Sequence, residues 1–142
     1  MRWAQGPADV ESAIALREEV FVREQGVPAE EEVDGRDGEA LHLLATGGGR
    51  IVGTLRLLFD GETVKVGRVA VDKAWRRRGV AAAMLDEALA EGVRRGATRA
   101  RLASQVEVVA LYERAGFAVE SGVFEEAGIP HVWMGRRLGE FA

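Results

Sequence analysis

A basic turn between residues 76 and 82 carries the clearest chemical signal in the sequence. Three consecutive arginines precede Gly79, and small residues then begin a helical pattern. Backbone N–H groups at a helix start lack intrahelical partners and lie at the positive end of the helix dipole, so they can bind phosphate. Gly79 and Ala81 allow a ligand to approach the backbone closely, and the arginines add charge. The pattern predicts a phosphate site; an ordinary connection with solvated arginines is the alternative.

The strand that leads into this turn contains an irregularity. In the run Val64 to Val71, valines occupy positions 64, 66, 69 and 71. Because successive residues of a strand face opposite sides, this alternation changes phase across Gly67 and Arg68. Glycine at such a point favours an extra residue that the neighbouring strand does not match. We therefore predict a β-bulge at Gly67 or Arg68.

The elements before this strand indicate a helix followed by a meander. Asp9 is placed to cap a helix that ends before Gly26, and the acidic segment Ala29 to Glu39 is expected to be a loop. Glycine-rich turns then separate three strand candidates. These are Leu41 to Thr46, Ile51 to Phe59 and Val64 to Val71. Short connections of this kind predict an antiparallel meander.

The elements after the turn predict a βαβ unit and a final hairpin. The helical pattern from Gly79 ends near Gly96, so the next strand, Ala100 to Ser104, should run parallel to Val64–Val71. A short amphipathic helix follows and ends at Gly116. The last strand candidates are Phe117 to Val119 and His131 to Arg137, joined by a loop that contains Gly122 and residues 128–130. The fold class is α/β, an α+β mixed sheet, in a single domain over residues 1–142.

Composition narrows the function classes. The 142 residues carry a net charge of -4, which gives no global reason to bind nucleic acid or an anionic membrane, although the arginines leave nucleic acid as a weak alternative. Cysteine is absent, so disulfides, thiolate metal sites and a cysteine nucleophile are excluded, while a serine acyl-enzyme is not. No signal-peptide core or membrane-spanning run is present. We expect a cytoplasmic protein without a metal.

Several motifs together resemble the GNAT superfamily of N-acetyltransferases. The spacing Arg76-x-x-Gly79-x-Ala81 after an apolar strand resembles its pyrophosphate-binding motif, and Gln105 with Tyr112 and Gly116-Phe117 resembles its downstream helix. Two further segments are similar to the ElaA-like branch. They are the stretch from Leu16 to Gln25 with Glu32, Asp34, Asp37 and His42, and the stretch from Phe124 to Met134.

The resemblance implies acetyl-CoA as co-substrate and a pair of splayed parallel strands that admit it. The amides of Val69 and Val71, flanking Ala70, would contact the thioester carbonyl and the pantetheine. Gln105, in place of the commoner asparagine, would bond the pantetheine or else serve as a cap. The phosphate contacts would come from Arg76, Arg77, Arg78, Gly79, Val80, Ala81 and Ala82.

The resemblance also implies that Tyr112 lies beside the sulfur of CoA and protonates the leaving thiolate; otherwise it is a core residue. The base that deprotonates the amine stays open among Glu24, His42, His131 and water. The acidic loop Glu30 to Asp37 is expected to be a solvated surface rather than an amine site, and Arg17, Trp75 and Trp133 to be packing or pairing residues.

The predicted function is direct acetyl transfer to a small-molecule or peptide amine in a ternary complex, and a homodimer is compatible with an exposed acceptor cleft. The alternative is a non-catalytic CoA-binding sensor or subunit. The sequence does not identify the acceptor.

Overall fold

One mixed sheet organises the molecule, which the computed structural model describes over residues 1–139. The strands are β1 (Arg2–Trp3), β2 (Leu41–Gly47), β3 (Arg50–Asp60), β4 (Thr63–Val71), β5 (Arg99–Gln105), β6 (Ala118–Val119), β7 (Phe124–Glu126) and β8 (Ile129–Arg137). The helices are α1 (Pro7–Arg17), a π-helix (Glu18–Glu24), α2 (Ala29–Glu32), α3 (Val80–Arg94) and α4 (Val109–Arg114), with 3₁₀ turns at Lys73–Trp75 and Val106–Val108. The strand order is β1-β2-β3-β4-β5-β8-β6, and β7 pairs with β8.

The predicted meander and βαβ unit are confirmed. Strands β2, β3 and β4 pair antiparallel, and α3 connects β4 to β5, which run parallel. On one face of the sheet, buried Val64 and Leu102 pack against Leu85 of α3. Leu16 and Val20 form a separate cluster with Ala70 of β4. Val69 and Val71, which flank Ala70, pack on the α3 side. Because side chains alternate along a strand, α1 covers the face opposite α3.

The N-terminal segment differs from its prediction in three ways. The N-cap of α1 is Gly6 without a side-chain cap, and Asp9 instead accepts a hydrogen bond from the Gln5 amide at 2.9 Å. Pro7 explains the early start, because proline suits the first helical position. The chain then continues as the π-helix, and the segment expected to be a loop contains α2.

The C-terminal hairpin is present with an additional strand. Strand β7 pairs with β8 through a turn at Ala127 and Gly128, whose φ angles are 53° and 76°. Two central residues with positive φ match the twist of a tight hairpin. Strand β8 consequently begins at Ile129, and residues 129–130 are part of a strand rather than of a loop. Within residues 1–139, no helix is long and apolar enough to cross a membrane.

Candidate active site

Strands β4 and β5 separate and leave a groove between them. They pair only over Thr63–Lys65 and Arg99–Arg101, at the start of each strand. The predicted bulge is confirmed, since Arg68 has φ 52° and the β3–β4 register shifts opposite it. The groove has a volume of about 820 Å³ and is lined by the separated strands, the π-helix, α2, α4 and the β7–β8 hairpin.

The backbone of β4 directs alternate amides into this gap. The Asp72 amide donates to the Val52 carbonyl of β3 at 2.8 Å. Because N–H directions alternate along a strand, the Ala70 amide also faces β3, whereas the amides of Val69 and Val71 face away from it. The Val71 carbonyl accepts a hydrogen bond at 3.0 Å from Nε of Arg76, which agrees with this direction. Two amide donors of β4 therefore face the groove.

The start of α3 offers further donors. Gly79 has φ 78°, and the first helical hydrogen bond runs from the Ala83 amide to the Gly79 carbonyl at 3.0 Å. The amides of Val80, Ala81 and Ala82 precede that bond and have no carbonyl partner within the helix. A Cβ atom at Gly79 would meet nothing within 4 Å, so the approach to these amides is open. Arg76, Arg77 and Arg78 are exposed beside them. This donor set fits a pyrophosphate group.

Two polar contacts join the end of the π-helix to residues that line the groove, although Glu24 itself does not line it. Nη2 of Arg76 lies 2.9 Å from Oε1 of Glu24, so this candidate base is engaged in an ion pair. Nε2 of Gln105 donates to Oε1 of Gln25 at 2.9 Å. The end of the π-helix thus contacts both the chain after β4 and the end of β5.

Tyr112 lines the middle of the groove from α4. Only 7% of its surface is exposed, and burial raises the pKa of its phenol to about 12. Its ring packs edge to face on Phe117, with centroids 6.2 Å apart. A tyrosine in this environment keeps its proton at neutral pH, so its hydroxyl can donate a hydrogen bond to a neighbouring anion.

The two histidines occupy different environments. His131 lines the groove, and its Nδ1 lies 2.6 Å from the Ile129 carbonyl. A carbonyl only accepts, so Nδ1 carries the proton and Nε2, 3.8 Å from Oε2 of Glu126, has the lone pair in the neutral ring. His42 is buried in β2 outside the groove and pairs through Nε2 with the Asp37 carbonyl at 3.0 Å. The structure therefore does not bring His42 together with the other candidates.

Part of the acidic loop forms an ion network, contrary to the expectation of a solvated surface, with Glu32 buried and Asp37 half-buried. Glu30, Glu31 and Asp34 are exposed, as expected. Nε of Arg17 lies 2.6 Å from Oε1 of Glu32, and Nη1 of Arg17 lies 2.7 Å from Oδ1 of Asp37. Arg56 pairs with Asp34 and, at 3.2 Å, with Asp37. Burial opposes ionisation of Asp37, but hydrogen bonds and charges from Arg17 and Arg56 lower its pKa.

Three groove residues, Lys65, Arg68 and Glu126, were not among the predicted site residues. Lys65 and Arg68 come from β4, and Glu126 comes from the tip of the β7–β8 hairpin. The phase change at the bulge was the available signal for Arg68, since it turns this side chain away from the α3 face. No sequence pattern singled out Lys65 or Glu126.

The splayed parallel strands, the free amides at the start of α3 and Tyr112 in the groove form the arrangement that the resemblance to GNAT acyltransferases implied. The sequence profile of the acetyltransferase (GNAT) domain matches residues 8–138. An uncharacterized N-acetyltransferase of Bacillus subtilis, YjcF, is 37% identical over 135 residues, which are 92% of this chain and 94% of YjcF. The chain belongs to the GNAT acetyltransferase family and is an acyltransferase.

Solved structures agree with this assignment. An acyl-CoA N-acyltransferase from Pseudomonas aeruginosa is 33% identical with a TM-score of 0.85, and the match covers 95% of this chain and 98% of the other. Escherichia coli ElaA is 27% identical with a TM-score of 0.84, over 95% of this chain and 98% of ElaA. The predicted resemblance to ElaA is thus confirmed.

Proposed function

We propose that this chain transfers the acetyl group of acetyl-CoA to a primary amine, directly within a ternary complex. One observation carries the proposal: Val69, Val71, Ala81 and Tyr112 all line one groove, with the amides of the two valines facing it. A single groove therefore contains amide donors for a thioester, donors for a phosphate and a proton donor. The similarity to the acyl-CoA N-acyltransferase from Pseudomonas aeruginosa supports an acyl-CoA as the co-substrate class.

The cofactor contacts in this proposal are mainly backbone contacts. The Val69 amide stabilises negative charge that develops on the acetyl carbonyl oxygen, and the Val71 amide holds the pantetheine arm. Amides of residues 77–82 hold the pyrophosphate, and the guanidinium groups of Arg76 to Arg78 add charge. The Gln25–Gln105 bridge has to open or remain above the pantetheine, since it crosses the same gap.

Proton transfer in the proposal uses groups on opposite sides of the groove. The acceptor nitrogen forms a bond to the acetyl carbon as the carbon–sulfur bond breaks. His131 Nε2 takes the proton from the amine, and Glu126 stabilises the resulting imidazolium. Tyr112 gives its proton to the departing thiolate. Glu24 is less suited as the base, because Arg76 already pairs with its carboxylate.

The test is a thiol-release assay with acetyl-CoA and a broad amine panel, combined with initial velocities at varied concentrations of both substrates. Transfer within a ternary complex predicts intersecting double-reciprocal lines, whereas an acyl-enzyme predicts parallel lines. Binding of acetyl-CoA without thiol release from any amine would instead support a non-catalytic sensor.

The two histidines provide a matched test of the proposed base. We expect His131→Gln to lower kcat/KM about 100-fold at pH 7, the scale of general-base catalysis, and His42→Gln to change it little once the folded fraction is taken into account. The deficit of His131→Gln should shrink as the pH rises, because the amine then loses its proton to water. Equal losses in both variants would remove His131 from the mechanism.

A further inference from the structure

The acceptor end of the groove contains two cations on the same side of β4. Val64 and Val66 face the α3 core, so Lys65 and Gly67 face the opposite side. Without a bulge, Arg68 would point into the core like the two valines. The bulge turns it toward α2, where it meets Glu32. Lys65 and Arg68 therefore both border the groove on the face covered by α1 and α2.

Arg68 keeps donor capacity after its internal contacts are made. Its Nη2 donates to the Glu32 carbonyl at 3.0 Å and to Oδ2 of Asp34 at 3.4 Å. Its buried Nε lies 3.3 Å from Oε1 of Glu32 but makes no hydrogen bond among the described residues. Its Nη1 donates no hydrogen bond within the part of the chain that the structure describes. An arginine normally uses such a donor for a carboxylate or phosphate oxygen.

Lys65 borders the groove without a close ion pair among the residues that the structure describes. Three arginines, Arg17, Arg56 and Arg68, share one network with three carboxylates, Glu32, Asp34 and Asp37, so these charges balance. Lys65 has no carboxylate within 4.0 Å among residues 1–139. Its Nζ lies 5.1 Å from the centre of the Trp133 ring, which Arg101 also contacts at 4.3 Å.

The surroundings of both cations favour an added anion. Desolvation, together with Arg56, Arg36 and Arg68, lowers the pKa of Lys65 and outweighs the opposing effect of Glu126. Desolvation and Arg56 likewise lower the pKa of Arg68 despite Asp34 and Glu32. A bound anion would relieve both effects. One ammonium group and one free guanidinium N–H match the two oxygens of a carboxylate. The neighbouring carboxylates Glu31 and Glu126 disfavour a doubly charged phosphate.

We propose that the acceptor is an amine that also carries a carboxylate, with the carboxylate bound by Lys65 Nζ and Arg68 Nη1. Glu31 and Glu126, which line the same end of the groove and lie outside the buried network, attract the ammonium group before it is deprotonated. The substrate class is therefore amino acids, or peptides whose carboxylate lies near the amine. The inference rests on the proposed acetyltransferase function and names its acceptor.

The test compares amines that differ only in the carboxylate. The panel contains α-, γ- and ε-amino acids, each paired with the amine that lacks its carboxylate, and leucine with leucinamide. Leucinamide has the more readily deprotonated amine, so a preference for leucine cannot arise from amine reactivity. Phosphoethanolamine tests the doubly charged alternative. We expect thiol release with a kcat/KM at least about 10-fold higher for the best amino acid than for its partner, the effect of about one charge-assisted hydrogen bond.

Charge reversal at Lys65 is the decisive variant, because Lys65 is exposed and lies outside the buried network. Lys65→Glu should abolish or invert the preference, with diamines becoming the better acceptors, and Lys65→Gln should reduce the ratio toward one. Arg68→Gln should do the same if it folds. The control is Arg95→Gln on α3, whose side chain pairs with Glu91 away from the groove and should leave the ratio unchanged.

The outcomes separate the two proposals. Equal use of amines with and without a carboxylate, a preference for phosphoethanolamine, or a ratio that Lys65→Glu leaves intact would overturn the carboxylate subsite while acetyl transfer stands. Thiol release from simple amines but from no amino acid would do the same. If acetyl-CoA binds and no amine is acetylated, the proposed function fails and the subsite fails with it.

Discussion

The two halves of the groove are built in different ways. The cofactor half consists of β4 from Val69 to Val71 and the turn into α3, and its donors are backbone amides presented by a bulge and by a glycine with positive φ. The acceptor half consists of side chains from α1, α2, β4 and the β7–β8 hairpin, held by ion pairs that join residues 15 to 36 positions apart. One half is defined by local conformation and the other by tertiary contacts.

Because they are built differently, the two halves should tolerate different kinds of substitution. Backbone donors survive most side-chain substitutions, so the cofactor half is sensitive to conformation more than to chemistry. The acceptor half depends on charges that are removed from water, where loss of one partner leaves another unpaired. Substitutions in the ion network of the acceptor half should therefore affect folding, and those in the cofactor half should affect acetyl-CoA binding when they change the backbone conformation.

The largest effect is expected at Glu32, which is 3% exposed beneath the acceptor half. Glu32→Ala leaves the guanidinium groups of Arg17 and Arg68 short of a partner, and breaking a buried pair costs about 3 kcal/mol. We expect this loss in the free energy of unfolding, measured by urea denaturation. The control is Glu18→Ala, whose pair with Arg23 is exposed and contributes less than about 1 kcal/mol. Similar small losses in both variants would contradict a structural role for the network.

Tyr112 tests the chemistry at the junction of the halves. We expect Tyr112→Phe to lower kcat about 100-fold, or about 2.7 kcal/mol, because a positioned acid is lost while the ring remains packed on Phe117. Acetyl-CoA affinity, measured by calorimetry, should stay within about twofold, since the proposed backbone donors for the thioester, the pantetheine and the pyrophosphate all remain. Unchanged kcat would leave Tyr112 as a core residue only.

The same difference explains how much could be predicted from the sequence. The bulge at Arg68 and the helix start at Gly79 were predictable, because a phase change and a glycine are local signals. The pairing of Arg17 with Glu32 was not, since an acidic run looks alike whether it is solvated or buried under an arginine. His42 was grouped with His131 because both lie in recurring segments, and only the folded chain shows that it is buried beside the Asp37 carbonyl and does not line the groove.

A substitution at Gly79 tests the cofactor half by changing its backbone conformation without removing a functional side chain. Gly79 and Gly61 have φ angles of 78° and 59°, and a Cβ atom at either would meet nothing within 4 Å. Alanine at either position should cost about 1–2 kcal/mol of unfolding free energy through the left-handed conformation. Only Gly79→Ala should also weaken acetyl-CoA binding, by about 10-fold or 1.4 kcal/mol, because it shifts the free amides of α3. Equal affinities in the two variants would contradict a phosphate site at this helix start.

The smallest expected effect concerns the pH dependence of kcat, which should show no decline at alkaline pH. Burial raises the pKa of Tyr112 to about 12, so the phenol is about 1% ionised at pH 10, whereas an exposed tyrosine would be about half ionised. Tyr112 therefore stays protonated, while the acceptor amine loses its proton as the pH rises. We expect kcat to rise and reach a plateau between pH 7 and 10, without a descending limb. A decline with a midpoint below pH 10, absent from Tyr112→Phe, would show that the phenol ionises in the working enzyme and that the groove around it is wetter than its burial indicates.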